Sequence, residues 1–270
     1  MVDSSPEQVA LAVRLERVGR DGAKTIVDDS LFRGGGLATF HAPGSHFNRI
    51  RGLGLEAAAS ADDLAALLGF FRERGVEAPE VETSSVSDPS AERLLRAAGF
   101  VPEVELWVLA RQVAQPPDGV PWSEQPLAPG VTITRVASDD EAGLVRNIRT
   151  GYLGFHPHSG GVTEVYLDAS LRAARRETSD TFDGWLDGAL VGAAAADSQQ
   201  GVTYFYGAST LPAARRRGVQ RALMLARLAR AAERGSEVIA VVGERQSPTL
   251  RNARRLGFCD LHRRIAWKKG

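Results

Sequence analysis

Two stretches of this chain end in the same way, and that recurrence limits the folds open to it. Leu94-Leu95-Arg96-Ala97-Ala98-Gly99-Phe100 and Asn252-Ala253-Arg254-Arg255-Leu256-Gly257-Phe258 each read as the last turns of a helix stopped by a glycine. Each then runs into a strand pattern bearing a tryptophan, Trp107 or Trp267. Upstream, Gly36-Leu37-Ala38 resembles Gly192-Ala193-Ala194, and both precede a second strand, a helix, a third strand and a short helix. Between the copies lies a segment with five prolines, Pro116, Pro117, Pro121, Pro126 and Pro129, and little periodicity. Such composition makes a stiff, extended connection. The chain therefore reads as a duplicated α/β unit: residues 1–114, a linker over 115–130, and residues 131–270.

The patterning within each half supports this division. Ser5-Pro6-Glu7 is a helix start, with a capping residue, proline at the first helical position and an acid in the first turn. Strands are expected at 37–40, 47–53, 81–84 and 104–109, and a helix from Ser60 to Gly75 through Leu64, Leu67, Leu68 and Phe71. A further helix starts at Asp88-Pro89-Ser90. In the second half strands are expected at 131–136, 182–186, 190–196, 202–208, 238–242 and 261–267, with Asp187-Gly188 as a primed hairpin turn. Helices are expected at 138–152, 163–176, to Arg234, and at 247–256. Gly34-Gly35-Gly36 precedes a strand, so it reads as a flexible entry or bulge, not a phosphate loop.

Composition narrows the partners. The 270 residues carry 33 Lys+Arg and 33 Asp+Glu, so no overall field draws the chain to nucleic acid or to a membrane surface. Against that balance the run Thr210-Leu211-Pro212-Ala213-Ala214-Arg215-Arg216-Arg217-Gly218-Val219-Gln220-Arg221-Ala222-Leu223 stands out. It joins an apolar strand to a helix through a glycine-containing turn, where unpaired N–H groups and the positive end of the helix dipole converge. Such a turn binds phosphate-like anions, and arginine supplies forked donors for the same ligand. The matching place in the first half, Gly54-Leu55-Glu56-Ala57-Ala58-Ala59, has no arginine and puts Glu56 where a phosphate would sit. Arg227, Arg230 and Arg234 recur at helical spacing opposite the apolar stripe Val219, Ala222, Leu223 and Ala226, and read as a solvated face. Cys259 is the single cysteine, which excludes an internal disulfide and a cysteine-based zinc cluster; it reads as a small core or sheet residue. No basic and apolar leader pattern stands at the start, so a reducing cytoplasm is the expected setting. His156-Pro157-His158 lacks further ligands at a recognisable spacing and reads as a loop turn, with no metal expected. Trp122 and Trp185 read as packing residues.

Arg215-Arg216-Arg217-Gly218-Val219-Gln220 resembles the Q/R-x-x-G-x-G/A signature of the GNAT superfamily of acyl-CoA-dependent N-acyltransferases, departing only at Gln220. Pro212 and the closing Ser247 to Phe258 segment fit the same family, and the first half looks like a degenerate copy without the cofactor loop. The resemblance implies two GNAT-like domains of α/β (α+β) class, each a mixed, largely antiparallel twisted sheet flanked by helices. It implies acetyl-CoA as acyl-donor cosubstrate, held by Ala208, Ser209, Thr210, Arg215, Arg216, Arg217, Gly218, Val219, Gln220, Arg221 and Asn252. It also implies an oxyanion-stabilising N–H near Thr210, and a catalytic set of Thr210, Asn252 and Tyr206. Where many members carry a general-acid tyrosine this chain has Ala253, and Tyr206, Glu244 and His156 all stand open as general base. Tyr152, Phe155 and His156 fall where such folds shape the acceptor pocket. The expected function is transfer of an acetyl group to a primary amine, by a monomer (pseudo-dimer) or homodimer, without nucleic acid or membrane partners. The alternatives are a CoA or acyl-CoA sensor without turnover and, against the charge balance, a nucleic-acid contact.

Overall fold

A computed structural model describes residues 5–113 and 119–270. The chain divides into two compact units: Met1–Val108 with Gly243–Arg245 and Asp260–Gly270, and Leu109–Val242 with Gln246–Cys259. Residue 114 and the first part of the expected linker, 115–118, lie outside the described residues; the remainder of the linker includes one turn of 3-10 helix at Trp122–Glu124.

The first unit begins with α1 (Pro6–Lys24), started by a reciprocal capping box between Ser5 and Gln8. β1 (Asp29–Arg33) and β2 (Gly36–Phe40) pair antiparallel. Gly34 and Gly35 between them have φ of 53° and 77°. The glycine run expected as a flexible entry is thus a two-residue hairpin turn of the kind that needs positive φ at both positions. β1 itself was not expected, since Asp29-Ser30-Leu31-Phe32-Arg33 is half-buried and lacks a clear alternation. β2 pairs antiparallel with β3 (Arg49–Arg51), and β3 pairs parallel with β4 (Glu80–Ser84). α2 (Ala61–Arg72) makes the crossover, α3 (Ser90–Ala97) follows β4, and β5 (Phe100–Gln112) begins in this unit.

The neighbour of β4 is the last strand of the chain, which in chain order is β11 (Cys259–Lys269). It pairs antiparallel with β4, Arg264 opposite Ser84 and Trp267 opposite Val81. Trp267 is fully buried among Ile50, Leu53, Leu67, Phe71 and Leu95, and its Nε1 donates to Thr83 Oγ1 at 2.8 Å. The tryptophan expected to close the second half therefore belongs to the core of the first. A period-2 pattern shows that a segment is a strand but not which sheet it enters.

The second unit repeats the plan. β6 (Val131–Val136), β7 (Ser179–Leu186), β8 (Ala189–Gln199) and β9 (Val202–Thr210) run antiparallel in that order, and β10 (Val238–Gly243) then pairs parallel with β9. A run of antiparallel strands, three in the first unit and four in the second, is followed in each by one parallel step. The look-alike segments Gly36–Ala38 and Gly192–Ala194 both lie on the last strand but one of that antiparallel run.

α4 (Glu141–Phe155) and α5 (Glu164–Ala174) join β6 to β7; α6 (Val219–Glu233) joins β9 to β10; α7 (Pro248–Arg255) follows. Val219, Ala222 and Leu223 of α6 pack with Val131, Phe182, Leu186 and Ala194. The expected solvated arginine face is not what forms. Arg227 is 1% exposed. Arg230 and Arg234 each donate from Nε to the buried Asp180 carboxylate at 2.9 Å. Cys259 begins β11 and is exposed, not core. No helix among the described residues is long and apolar enough to cross a membrane.

Candidate active site

The site in the second unit is built where two neighbouring strands part. β9 and β10 are in register from Val202 opposite Val238 to Phe205 opposite Val241, and the pairing stops there, although β9 continues to Thr210. On its other edge β9 loses register with β8. Ala195 faces Tyr206 and Ala193 faces Ser209, so Gly207 and Ala208 together oppose Ala194. Gly207 has φ 61°, the left-handed conformation that glycine supplies at the first position of a bulge. A Cβ built on Gly207 would meet nothing within 4 Å. A strand that bulges beside an open edge turns its backbone N–H groups away from the sheet ladder, which frees donors for a ligand.

The turn into α6 presents more of them. Arg216 and Gly218 both have positive φ, 65° and 87°, and Gly218 is the N-cap, with no side chain capping the helix and no acidic residue in its first turn. The first helical hydrogen bond runs from the Ala222 N–H to the Gly218 carbonyl. No acceptor among the described residues takes the N–H groups of Arg216 to Arg221. These donors converge at the positive end of a 15-residue helix, the arrangement that stabilises a bound anion.

The side chains of this turn divide by role. Arg215 donates from Nη2 to the Gly154 carbonyl at 2.9 Å and from Nε to the Thr210 carbonyl at 3.2 Å. It ties the end of α4 to the end of β9. Arg217 reaches Asp187 at 3.6 Å, and Arg221 donates to the Pro126 carbonyl at 2.7 Å. Arg216 is exposed and makes no ion pair or hydrogen bond among the described residues. Val219 is buried, with Cγ1 against Gly184 and Gly192, so only its backbone is available. Gln220, the residue that departs from the small one of the signature, donates to Thr249 Oγ1 at 2.8 Å and accepts from Asn252 Nδ2 at 2.7 Å. Asn252 is thus held across α7 to the start of α6.

At the end of β9, Ala208 packs toward α6 while Ser209 faces α4, where its hydroxyl donates to the Gly151 carbonyl at 2.8 Å. α4 comes this close because residue 154 is glycine: a Cβ there would lie 2.3 Å from Ser209 Oγ and 3.3 Å from the Thr210 nitrogen. The Thr210 hydroxyl is buried and has no partner among the described residues.

The α4 side carries an aromatic group. The Tyr152 ring lies 4.6 Å from His156 and 4.9 Å, edge-on, from Tyr166. Phe155 projects outward, 53% exposed. Tyr166 was not singled out in the sequence, because an aromatic in an amphipathic helix carries no positional signal until its neighbours are known. The Tyr206 hydroxyl is 2.7 Å from Ser179 Oγ, beside Arg176, which pairs with Asp197 at 3.1 Å. Burial pushes the Tyr206 phenol above its ordinary pKa, against the lowering effect of its hydrogen bond to Ser179. It is therefore a neutral hydroxyl at physiological pH, able to donate a hydrogen bond and not to act as a base. Ala253 is fully buried, so no hydroxyl stands at that place.

Residues 145–258 match the acetyltransferase (GNAT) family. A mycothiol acetyltransferase of Cellulomonas flavigena is 31% identical over 188 residues, 63% of this chain and 51% of the relative. The chain thus spans about half the length of the curated relative it matches. A GCN5-related N-acetyltransferase from Kribbella flavida superposes over 96% of this chain and 95% of its own, with a TM-score of 0.68 at 18% identity. A tandem GNAT protein from the clavulanic acid biosynthesis pathway superposes over 97% and 94%, with a TM-score of 0.61 at 14% identity. Over residues 145–258 the chain is thus similar to acetyltransferases of the GNAT family, and it has the fold of solved GNAT proteins, a tandem one among them.

Proposed function

We propose that the second unit transfers an acetyl group from acetyl-CoA to the amine of a small acceptor, and that the first unit has no donor site of its own. The observation that carries this reading is the uncapped start of α6, with the N–H groups of Arg216 to Arg221 lacking acceptors among the described residues, at the end of a parting strand pair. Those N–H groups suit a diphosphate, with Arg216 as the free charge partner. The β9 edge beyond Phe205 suits an extended arm hydrogen-bonded like an added strand. The bulge at Gly207-Ala208 turns the backbone between Ala208 and Thr210 toward the thioester carbonyl, where an N–H stabilises the oxyanion.

In this reading the neutral amine attacks the thioester carbon, the C–N bond forms, the C–S bond breaks, and the amine proton leaves for solvent. The departing thiolate, with an ordinary pKa near 8.5, leaves without an obligatory acid, consistent with alanine at position 253. The aromatic group of Tyr152, Tyr166 and His156 forms the acceptor side, with Tyr206 as a neutral donor. Asn252 acts through Gln220 in shaping the start of α6. The Cellulomonas relative is named for mycothiol, so amines of the mycothiol type head the acceptor panel. The proposal includes a soluble, cytoplasmic protein acting as a monomer or homodimer, without nucleic acid or membrane partners.

The test is calorimetry with acetyl-CoA followed by CoA release across an amine panel. One site per chain with acceptor-dependent release supports the reading; no binding by the wild type overturns it. Binding without release for any amine favours the second reading, an acyl-CoA sensor, for which Ala253 is the specific observation.

A further inference from the structure

Arg227 lies two turns into α6, on the side facing the sheet, and is 1% exposed. Its Nε donates to the Leu223 carbonyl at 3.0 Å, one turn back in its own helix. Its Nη1 donates to the Ala195 carbonyl on β8 at 3.3 Å. Its guanidinium lies over the Phe205 ring, 4.4 Å from the centroid. Its Nη2 is buried and has no partner among the described residues. No carboxylate pairs with it among the described residues, and burial alone pulls its pKa down to about 9, so it remains a cation at neutral pH. A buried cation without a counter-ion costs stability, and a leucine or methionine at this position would not. Packing therefore does not explain the arginine.

Its location does. Ala195 is the β8 residue at which register with β9 breaks, the last in step with Tyr206 before Gly207 and Ala208 bulge opposite Ala194. Phe205, under the guanidinium, is the last β9 residue paired with β10 before the strands part. One side chain thus holds both strands at the point where β9 leaves its ladders.

We propose that Arg227 is a positioning residue for acyl transfer: by anchoring the Ala195 carbonyl and the Phe205 ring, it holds the β9 bulge and so aims the Ala208–Thr210 backbone at the donor. This rests on the function proposed above, and it concerns residues that do not touch the donor.

The experiment compares the full-length protein with Arg227→Met, which keeps the volume, and Arg227→Lys, which keeps a charge and one donor. The Met variant is expected to bind acetyl-CoA within about threefold of wild type. Its kcat is expected to fall by about 10²-fold, the loss seen when one oxyanion donor is misplaced, with the KM for the amine little changed. The Lys variant recovers part of the kcat. Amide exchange at Ser209 and Thr210 is faster in the Met variant, while Val202 to Tyr204 exchange as before. A folded Met variant with wild-type kcat and wild-type exchange at Ser209 and Thr210 overturns the proposal. If the Met variant does not fold, the Lys variant decides alone: unchanged kcat and unchanged exchange overturn the proposal, and a fall in kcat with faster exchange at those two residues supports it. If the wild type turns over no amine, the function proposed above fails. The exchange readout then still decides whether Arg227 holds the bulge.

Discussion

The two units carry the same turn in opposite states. In the second, α6 starts with Gly218, no side-chain cap and no acid in its first turn. In the first, α2 starts with Ser60 and Asp63 in a reciprocal capping box, with Asp62 beside them. There the helix supplies its own acceptors and its own negative charge. The preceding loop is filled too: Arg20 Nη1 donates to the Gly35 carbonyl at 2.8 Å and meets Glu56 at 3.2 Å, and Arg17 meets Glu56 at 3.3 Å. A Cβ built on Gly52 would lie 2.7 Å from Arg20 Cδ, which shows how closely that side chain fills the space. Where β3 and β4 end, Glu82 joins Arg51 at 2.8 Å and Arg49 at 2.6 Å. In the first unit internal charges thus stand at the turn that matches the proposed anion site of the second.

The largest effect expected from breaking this contrast is on the closed unit. Glu82→Gln leaves Arg49 and Arg51 without their buried carboxylate and should lower unfolding free energy by about 3–5 kcal/mol, read by urea titration. The same group sets a pH dependence. Burial raises the Glu82 carboxyl, but Arg51, Arg49 and Arg264 together outweigh burial and hold it well below the usual carboxylate range. Glu16 is lowered in the same way, with burial outweighed by Arg264 and His262. Carboxyls lowered in the folded state contribute stability above their unfolded pKa, near 4.5 for Glu, and that contribution is lost as pH falls below it. Stability should decline steadily below about pH 4.5. A wild-type profile flat down to pH 3 would show that these pairs contribute nothing.

Next in size is Gly218→Glu in the open unit. It puts a carboxylate at the free N–H groups, forces a side chain onto φ 87°, and drives its Cβ to within 2.6 Å of Ala128 Cβ. Acetyl-CoA affinity should fall at least about 100-fold by calorimetry, roughly 2.7 kcal/mol. Arg216→Glu is the milder test, because its side chain has no partner among the described residues; a drop of about tenfold that shrinks as salt is raised is expected. Smallest is Ser60→Ala, which removes the cap of the closed helix. It should cost about 1 kcal/mol of stability and leave acetyl-CoA affinity and its one-site stoichiometry unchanged. A second binding event in that variant would sharpen the comparison differently, by showing that the cap alone had closed the first site.

Much of this contrast was legible in the sequence, because it is written in local chemistry. Glu56 against Arg216-Arg217-Gly218 already marks an acidic turn against a basic one in the residues alone. β6 at Val131–Val136 and the Asp187-Gly188 hairpin were likewise readable, since turn residues and period-2 alternation act over a few positions. What stayed hidden depends on partners far along the chain. The tie from Arg215 to the Gly154 carbonyl, 61 residues away, has no local sign in the sequence. Arg227 looked solvated because a helical wheel marks a face and not its depth. The bulge had a visible sign, since Gly207 interrupts an apolar strand and an isolated glycine there marks a bulge.

The placement of β11 bears on how the molecule is made. The core around Trp267 cannot close when residues 1–108 leave the ribosome, because its last strand is synthesised after nearly all of the second unit. Folding domain by domain in order of synthesis is the usual economy of a two-unit chain, and here it is denied to the first unit. Its apolar surface, Ile50, Leu67 and Phe71 among it, waits exposed until residues 260–269 arrive. A fragment cut at the proline-rich segment should accordingly aggregate, and supplying a peptide of residues 259–270 should rescue it.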